Sequence, residues 1–141
     1  MSIIRIILCV VVAYIVYSIM YVGLMVFAFG DLFTANAEFM RAPDETLTSM
    51  TYVAHLVQTI VVVLLFNMFV ASSDIKKGLS FGLLIGAYLA ATDSTFYFGL
   101  KLSTEPWLVS MFIHLFVGAI VGIILSMLYK TTSDPAEIVN N

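Results

Sequence analysis

The sequence predicts an all-α membrane protein: a four-helix up-down bundle that crosses the membrane four times, with both termini in the cytoplasm. Two properties of the 141 residues predict this fold class. Of these residues, 62% are hydrophobic and only 11% are charged, whereas about a quarter of a soluble domain is charged. The apolar residues also fall into four long runs, each near the roughly 20 residues that cross a hydrocarbon core of about 30 Å.

The four predicted helices cover residues 3–29, 46–71, 79–100 and 106–129. Lipid offers no hydrogen-bond partner to backbone N–H and C=O groups, so these runs are expected to be helices rather than open strands. Together they form one domain, residues 1–130, followed by a polar tail at 131–141. The first run is longer than the apolar region of a signal peptide, and we interpret it as a retained span.

The positive charges predict the orientation in the membrane. With four spans, both termini lie on one side, and that side carries Arg5, Lys76, Lys77 and Lys130. The other side carries only Arg41 and Lys101. Because Lys and Arg concentrate in cytoplasmic loops, both termini are expected in the cytoplasm. We therefore expect a multi-pass protein of a bacterial inner membrane, with the lipid bilayer as its first partner.

The connections predict which helices are neighbours. Residues 74–78 break the chain between the second and third spans, and residues 101–105 separate the third from the fourth. Both connections are short, so the second, third and fourth helices are expected to be antiparallel neighbours. The segment 30–42 is longer and more acidic, and it has room for structure of its own.

Glycine spacing predicts the closest helix contact. In lipid, small and polar residues mark the faces where helices meet. Gly82 and Gly86 are four residues apart in the third span, and Gly118 and Gly122 repeat this spacing in the fourth. We expect the third and fourth helices to pack through these two glycine faces.

Asp93 is the only charged residue well inside an apolar run. A carboxylate there costs about 2.5–3.5 kcal/mol on insertion scales, so it needs a partner, a cavity or a function. Asp93 and His114 are equally distant in sequence from the middle of the connection between the third and fourth spans, which puts them at the same depth. We therefore predict an Asp93–His114 pair.

Other polar side chains are expected near this pair. Tyr21 of the first helix and His55 and Gln58 of the second belong to the same half of the membrane. Together with Asp93 and His114 they form a candidate ligand-binding or proton-relay cluster. The structural alternative is that the Asp93–His114 hydrogen bond only holds two helices together.

Metal and haem sites are weaker alternatives. Two histidines and Asp93 match a 2-His-1-carboxylate set in residue type, and His55 and His114 could hold a haem from opposite sides of a bundle. No local spacing motif supports either site, so no cofactor is predicted. Cys9 is the only cysteine, which excludes an internal disulfide and a thiolate cluster.

Composition and motifs narrow the function. The net charge of −3 provides no basic patch for nucleic acid. The chain lacks a phosphate-binding glycine loop and the motifs of serine hydrolases and zinc peptidases, so an enzyme is not the preferred prediction. The first hypothesis is a non-enzymatic accessory or assembly subunit or a homo-oligomer packed through glycine faces. The alternatives are a small proton-coupled or solute transporter using Asp93 and His114, and a haem- or metal-binding protein using His55 and His114.

Residues 77–130 resemble a group of small four-helix bacterial membrane proteins that have no assigned activity. The resemblance is carried by the segment 78–86, GLSFGLLIG, and by Pro106-Trp107-Leu108 at the start of a helix that contains Gly118-x-x-x-Gly122. It covers little more than a third of the chain. It implies the four-helix architecture and no site residue.

Overall fold

The computed structural model describes residues 2–35, 46–99 and 104–130. About 92% of these residues are helical, and none of them lies in a strand. The helices are α1 (Ile3–Gly23), which continues as a π-helical turn (Leu24–Ala28), α2 (Gly30–Thr34), α3 (Thr46–Leu65), which continues as a π-helical turn (Phe66–Val70), α4 (Ile75–Tyr97) and α5 (Thr104–Lys130). The predicted all-α class is confirmed.

Three helical stretches within the described ranges are long and apolar enough to cross a membrane: Ile3–Ala28, Ser49–Val70 and Thr104–Tyr129. They correspond to the first, second and fourth predicted spans. Three such helices are characteristic of a multi-pass membrane protein. The predicted third span corresponds to α4, which has 23 residues. It is similar in length to the others but less apolar, because it includes Lys76, Lys77 and the polar segment 92–95.

The start of α4 differs from the predicted position. Asp74 precedes the helix, and its Oδ1 accepts a hydrogen bond of 2.8 Å from the backbone N–H of Lys76. An aspartate in this position satisfies a backbone donor that has no partner within the helix. The helix therefore begins at Ile75, and the prediction of a break throughout 74–78 is wrong for residues 75–78. Its end at Tyr97 comes three residues before the predicted end at residue 100, which lies outside the described ranges.

The connections are described only in part. α2 occupies the first five residues of the segment 30–42, for which structure of its own is expected. Residues 36–45 and the predicted polar tail at 131–141 lie outside the described part of the chain.

The apolar core is built around α5. Ile113, Val117 and Leu125 of this helix are almost fully buried. They form one cluster with buried residues of α1 and α3, among them Ala13 and Phe66. The lone Cys9 belongs to the same cluster and acts as a small apolar side chain. α5 is thus the central helix, with α1 on one side and α4 on another.

α4 and α5 are antiparallel and meet at their glycines, which confirms the predicted contact. A Cβ built on Gly86 would lie 2.5 Å from the carbonyl oxygen of His114, and one built on Gly118 would lie 2.6 Å from that of Gly82. A Cβ on Gly122 would lie 2.8 Å from the Cα of Gly82. The glycine faces are therefore occupied within the chain, and a homo-oligomer needs a different surface.

The predicted contact between the second and third spans is limited to one end. The rings of Phe66 in the last turn of α3 and Phe81 in α4 pack edge to face, with centroids 5.4 Å apart. Further from the connection α3 packs against α1, where the Tyr14 hydroxyl donates a hydrogen bond of 3.2 Å to the carbonyl of Tyr52. α3 and α4 border a cavity here, so they are not neighbours along their whole length.

Candidate functional site

Asp93 and His114 form the predicted pair between α4 and α5. His114 Nε2 lies 2.8 Å from Asp93 Oδ2. The His114 side chain is 5% exposed and that of Asp93 is 37% exposed. The imidazole is thus enclosed by the helices, while the carboxylate reaches their surface. Asp93 and His114 lie at the same level, as their equal distance in sequence from the connection between the two helices predicts.

Ser110 completes this part of the site and was missed by the sequence analysis. Its hydroxyl donates a hydrogen bond of 2.7 Å to the same Asp93 Oδ2, and its side chain is fully buried. Ser110, His114, Gly118 and Gly122 follow one another at four-residue spacing. Extending the glycine face of α5 by one turn beyond His114 would therefore have found Ser110.

Tyr21 links the two histidines. Its ring centroid lies 5.5 Å from the imidazole of His114 and 5.5 Å from that of His55. Tyr17, one turn earlier on α1, stacks on Tyr21 at 5.4 Å and lies 5.3 Å from His55. The helical spacing of Tyr14, Tyr17 and Tyr21 was the available signal for this second tyrosine, which the site prediction omitted.

His55 and Gln58 form a separate polar pair on α3. His55 Nδ1 lies 3.0 Å from Gln58 Oε1. An amide oxygen only accepts hydrogen bonds, so with this amide orientation His55 carries its proton on Nδ1. Thr59 lies beside the pair, with its hydroxyl 2.8 Å from the His55 carbonyl oxygen. The structure thus brings all five predicted cluster residues into one row that runs from Asp93 through His114, Tyr21 and His55 to Gln58.

A small cavity adjoins this row. It has a volume of about 40 Å³ and is bordered by α1, α3, α4 and α5. Its polar wall consists of Tyr17, His55, Gln58, Thr59 and His114. The remaining wall is formed by apolar side chains and by glycines of the contact between α4 and α5. No Asp, Glu, Lys or Arg of the described residues lines the cavity.

The residues present do not fit the haem and metal alternatives. A cavity of about 40 Å³ admits a few water molecules, each needing about 10–15 Å³, and is far too small for a porphyrin. In the described part of the chain, no three His, Cys, Asp or Glu side chains come together as a metal site would require. His55 and His114 are each in contact with the Tyr21 ring instead of with a shared centre.

Comparisons with known proteins add no identity to this site. No protein-family model, curated protein or solved structure matches the chain.

Proposed function

We propose that this chain is a small multi-pass membrane protein, of a bacterial inner membrane, that passes protons through Asp93 and His114, alone or coupled to a solute. The observation that carries the proposal is the 2.8 Å hydrogen bond between Asp93 Oδ2 and His114 Nε2 at the contact of two long helices. Ionisable side chains in membrane-spanning segments are costly, and they commonly mark ion or proton pathways.

In this proposal α4 is the fourth span. α5 is long and apolar enough to cross a membrane, and α4 contacts it backbone to backbone at Gly82 and Gly86. A helix packed in this way against a spanning helix lies at the same depth in the bilayer. Four spans put both termini on one side, and the excess of Lys and Arg on that side favours the cytoplasm.

The two ring nitrogens of His114 suit a proton relay, because imidazole can bind a proton on one nitrogen and release another from the second. In the neutral ring the Nε2 proton is donated to the Asp93 carboxylate, and Nδ1 holds a lone pair. A proton that arrives at Nδ1 produces the imidazolium. Transfer of the Nε2 proton to Asp93 Oδ2 then leaves a neutral imidazole protonated on Nδ1 and a carboxylic acid. Ser110, which donates to the same oxygen, holds the acceptor in place.

Proton flux into liposomes tests the proposal. The purified protein is reconstituted with a trapped pH-sensitive dye, and a pH gradient is imposed. Asp93→Asn keeps the shape of the side chain but cannot take up the proton, so we expect its flux to fall to that of empty liposomes. Asp31→Asn is the matched control, because Asp31 is exposed on α2 and distant in sequence from the pair; its flux should equal that of the wild type.

Two results would overturn the proposal. One is a wild-type flux no greater than that of empty liposomes. The other is an Asp93→Asn flux equal to that of the wild type. In either case the Asp93–His114 hydrogen bond is a structural link between α4 and α5.

A groove on the outer side of α4 and α5 favours a second candidate function, an accessory or oligomeric subunit. Its volume is about 570 Å³, and Ala87, Ala91 and Thr95 line it at four-residue spacing. Small residues allow a helix of another chain to approach closely. If the chain associates with itself here, Ala91→Leu should convert an oligomer to a monomer in light scattering, whereas Ala54→Leu on the exposed side of α3 should not. A monomeric wild type would exclude self-association.

A further inference from the structure

Two buried polar atoms next to the Asp93–His114 pair have no hydrogen-bond partner. They are Nδ1 of His114 and the hydroxyl oxygen of Tyr17, and they are the two such side-chain atoms in the described part of the chain. Buried polar atoms are nearly always hydrogen-bonded, to protein or to bound water. His114 is 5% exposed and uses its other nitrogen for Asp93, so the missing partner must be found on the Nδ1 side of the ring.

Both side chains border the same cavity. His114 contributes to it from α5 and Tyr17 from α1. The volume of about 40 Å³ is enough for about three or four water molecules at about 10–15 Å³ each. A bound water needs two to four polar partners, and His55, Gln58 and Thr59 in the wall provide further donors and acceptors.

The chemistry of the wall selects a small neutral ligand. Asp93 does not line the cavity, and neither does any Glu, Lys or Arg of the described residues. A metal ion or an ammonium group would therefore have no carboxylate to balance its charge, and an anion would have no fixed positive charge. Water is the neutral molecule whose size and hydrogen bonding fit this wall.

The cavity also extends along the helices. Its wall on α5 runs from His114 to Gly122, which is eight residues or about 12 Å. Phe81 lines the cavity at this end, and its ring packs edge to face on the almost fully buried Phe66. The cavity thus extends from His114 away from Asp93, towards the end of the helices where α3 and α4 meet.

We propose that this cavity is a water-binding site, in which water hydrogen-bonds to His114 Nδ1 and to the Tyr17 hydroxyl and continues the proton path from Asp93 towards Gly122. The proton path rests on the proposed function, whereas the hydration of the cavity does not. Water donates a hydrogen bond to the Nδ1 lone pair, and a protonated water chain delivers its proton to the same atom. Tyr17 positions this water, because its hydroxyl can both donate to it and accept from it.

Water-edited solid-state NMR of the protein in lipid bilayers tests the hydration. The chain has two histidines, so ¹⁵N-histidine labelling of His55→Gln leaves only His114 to be observed. We expect rapid magnetisation transfer from water to the His114 ring although this ring is buried. Tyr17→Phe removes one partner of the water and should change the Nδ1 chemical shift and weaken the transfer. Tyr14→Phe is the matched control, because the Tyr14 hydroxyl bonds to the carbonyl of Tyr52 and Tyr14 does not line the cavity.

The same variants are measured for proton flux. Loss of one hydrogen bond to the positioned water should lower the flux about fivefold in Tyr17→Phe, and Tyr14→Phe should keep the wild-type rate. If no magnetisation passes from water to the His114 ring, the hydrated site is overturned, even if Asp93→Asn abolishes proton flux. Water transfer with normal flux in Tyr17→Phe would overturn the path through this water. Water transfer together with normal flux in Asp93→Asn would overturn the proposed function and leave the hydrated site intact.

Discussion

The indole N–H of Trp107 donates a hydrogen bond of 2.6 Å to the hydroxyl of Ser94. This contact joins the first turn of α5 to the last turns of α4. Trp107 lies one turn before Ser110 in α5, and Ser94 directly follows Asp93 in α4. The Ser94 hydroxyl in turn donates to the carbonyl of Ala90 at 2.7 Å. The bond between Trp107 and Ser94 therefore stabilises the contact of α4 and α5 next to Asp93, and the fluorescence of Trp107 can report on it.

Trp107 is the only tryptophan in the chain, so its fluorescence reports on this contact. We expect Ser94→Ala to shift the emission to shorter wavelength, because the indole loses its hydrogen-bond acceptor. Thr92→Ala is the control, since the exposed Thr92 hydroxyl bonds only to the carbonyl of Tyr88. An identical shift in both variants would show that the emission does not depend on the bond between Trp107 and Ser94.

The glycine contact between α4 and α5 should be intolerant of a single methyl group. A Cβ on Gly82 would collide with the backbone of Gly118, so Gly82→Ala must separate the helices. We expect a loss of about 1–3 kcal/mol in the free energy of unfolding, which is typical of overpacking. Denaturant titration in detergent micelles measures it.

Gly23→Ala is the matched control for this substitution. Gly23 also lies in a helix, but nothing comes within 4 Å of a Cβ built on it. Because alanine favours a helix over glycine by about 1 kcal/mol, this variant should be equally or more stable than the wild type. Equal destabilisation by the two substitutions would contradict the assigned contact.

The hydrogen bond from Ser110 to Asp93 should contribute to stability because it is buried. Ser110→Ala removes a donor from a carboxylate oxygen, and we expect a cost of about 1.5–3 kcal/mol for a bond to a charged group. Ser80→Ala, on the exposed side of α4, should change the free energy of unfolding by less than about 0.5 kcal/mol. A Ser110→Ala cost as small as that of the control would show that the bond contributes nothing to stability.

The end of α3 contains the one positive φ among the described residues that are not glycine. Ala71 has φ 39°, a left-handed conformation that costs a residue with a Cβ about 1–2 kcal/mol. We therefore expect Ala71→Gly to raise the thermal midpoint in detergent. Ala91→Gly, at an exposed position inside α4, should lower it, because glycine weakens a helix interior by about 1 kcal/mol. A lower midpoint in both variants would contradict strain at Ala71.

Much of the site could be predicted because it depends on distances along the chain. Asp93 and His114 are equally far from the connection between two antiparallel helices, so the helical rise alone puts them at one level. The four-residue spacing from Gly82 to Gly86 and from Gly118 to Gly122 identified the faces through which the two helices meet. These are local properties of a helix, and a sequence states them directly.

Other features could not be predicted, because in a chain this apolar, hydropathy does not determine how a helix is rotated. Helical spacing puts Ser110 and Tyr17 in line with other polar or small residues of their helices, but it does not say which groups they meet. Packing decided that Ser110 bonds to Asp93 and that Tyr17 stacks on Tyr21. The start of α4 at Ile75 depends on the Asp74 cap, which overrides the polar character of Lys76 and Lys77.

The sequence by itself thus determined the helices, the contact of two glycine faces and the level at which Asp93 meets His114, since these follow from hydropathy and helical spacing. Tertiary structure alone decided that α3 packs on α1 and leaves α4 after the contact of Phe66 with Phe81. The cavity beside His114 follows from that divergence. The physical cause of this divergence is the size of the side chains. Glycines bring α4 and α5 together, whereas larger residues hold α3 away from α4.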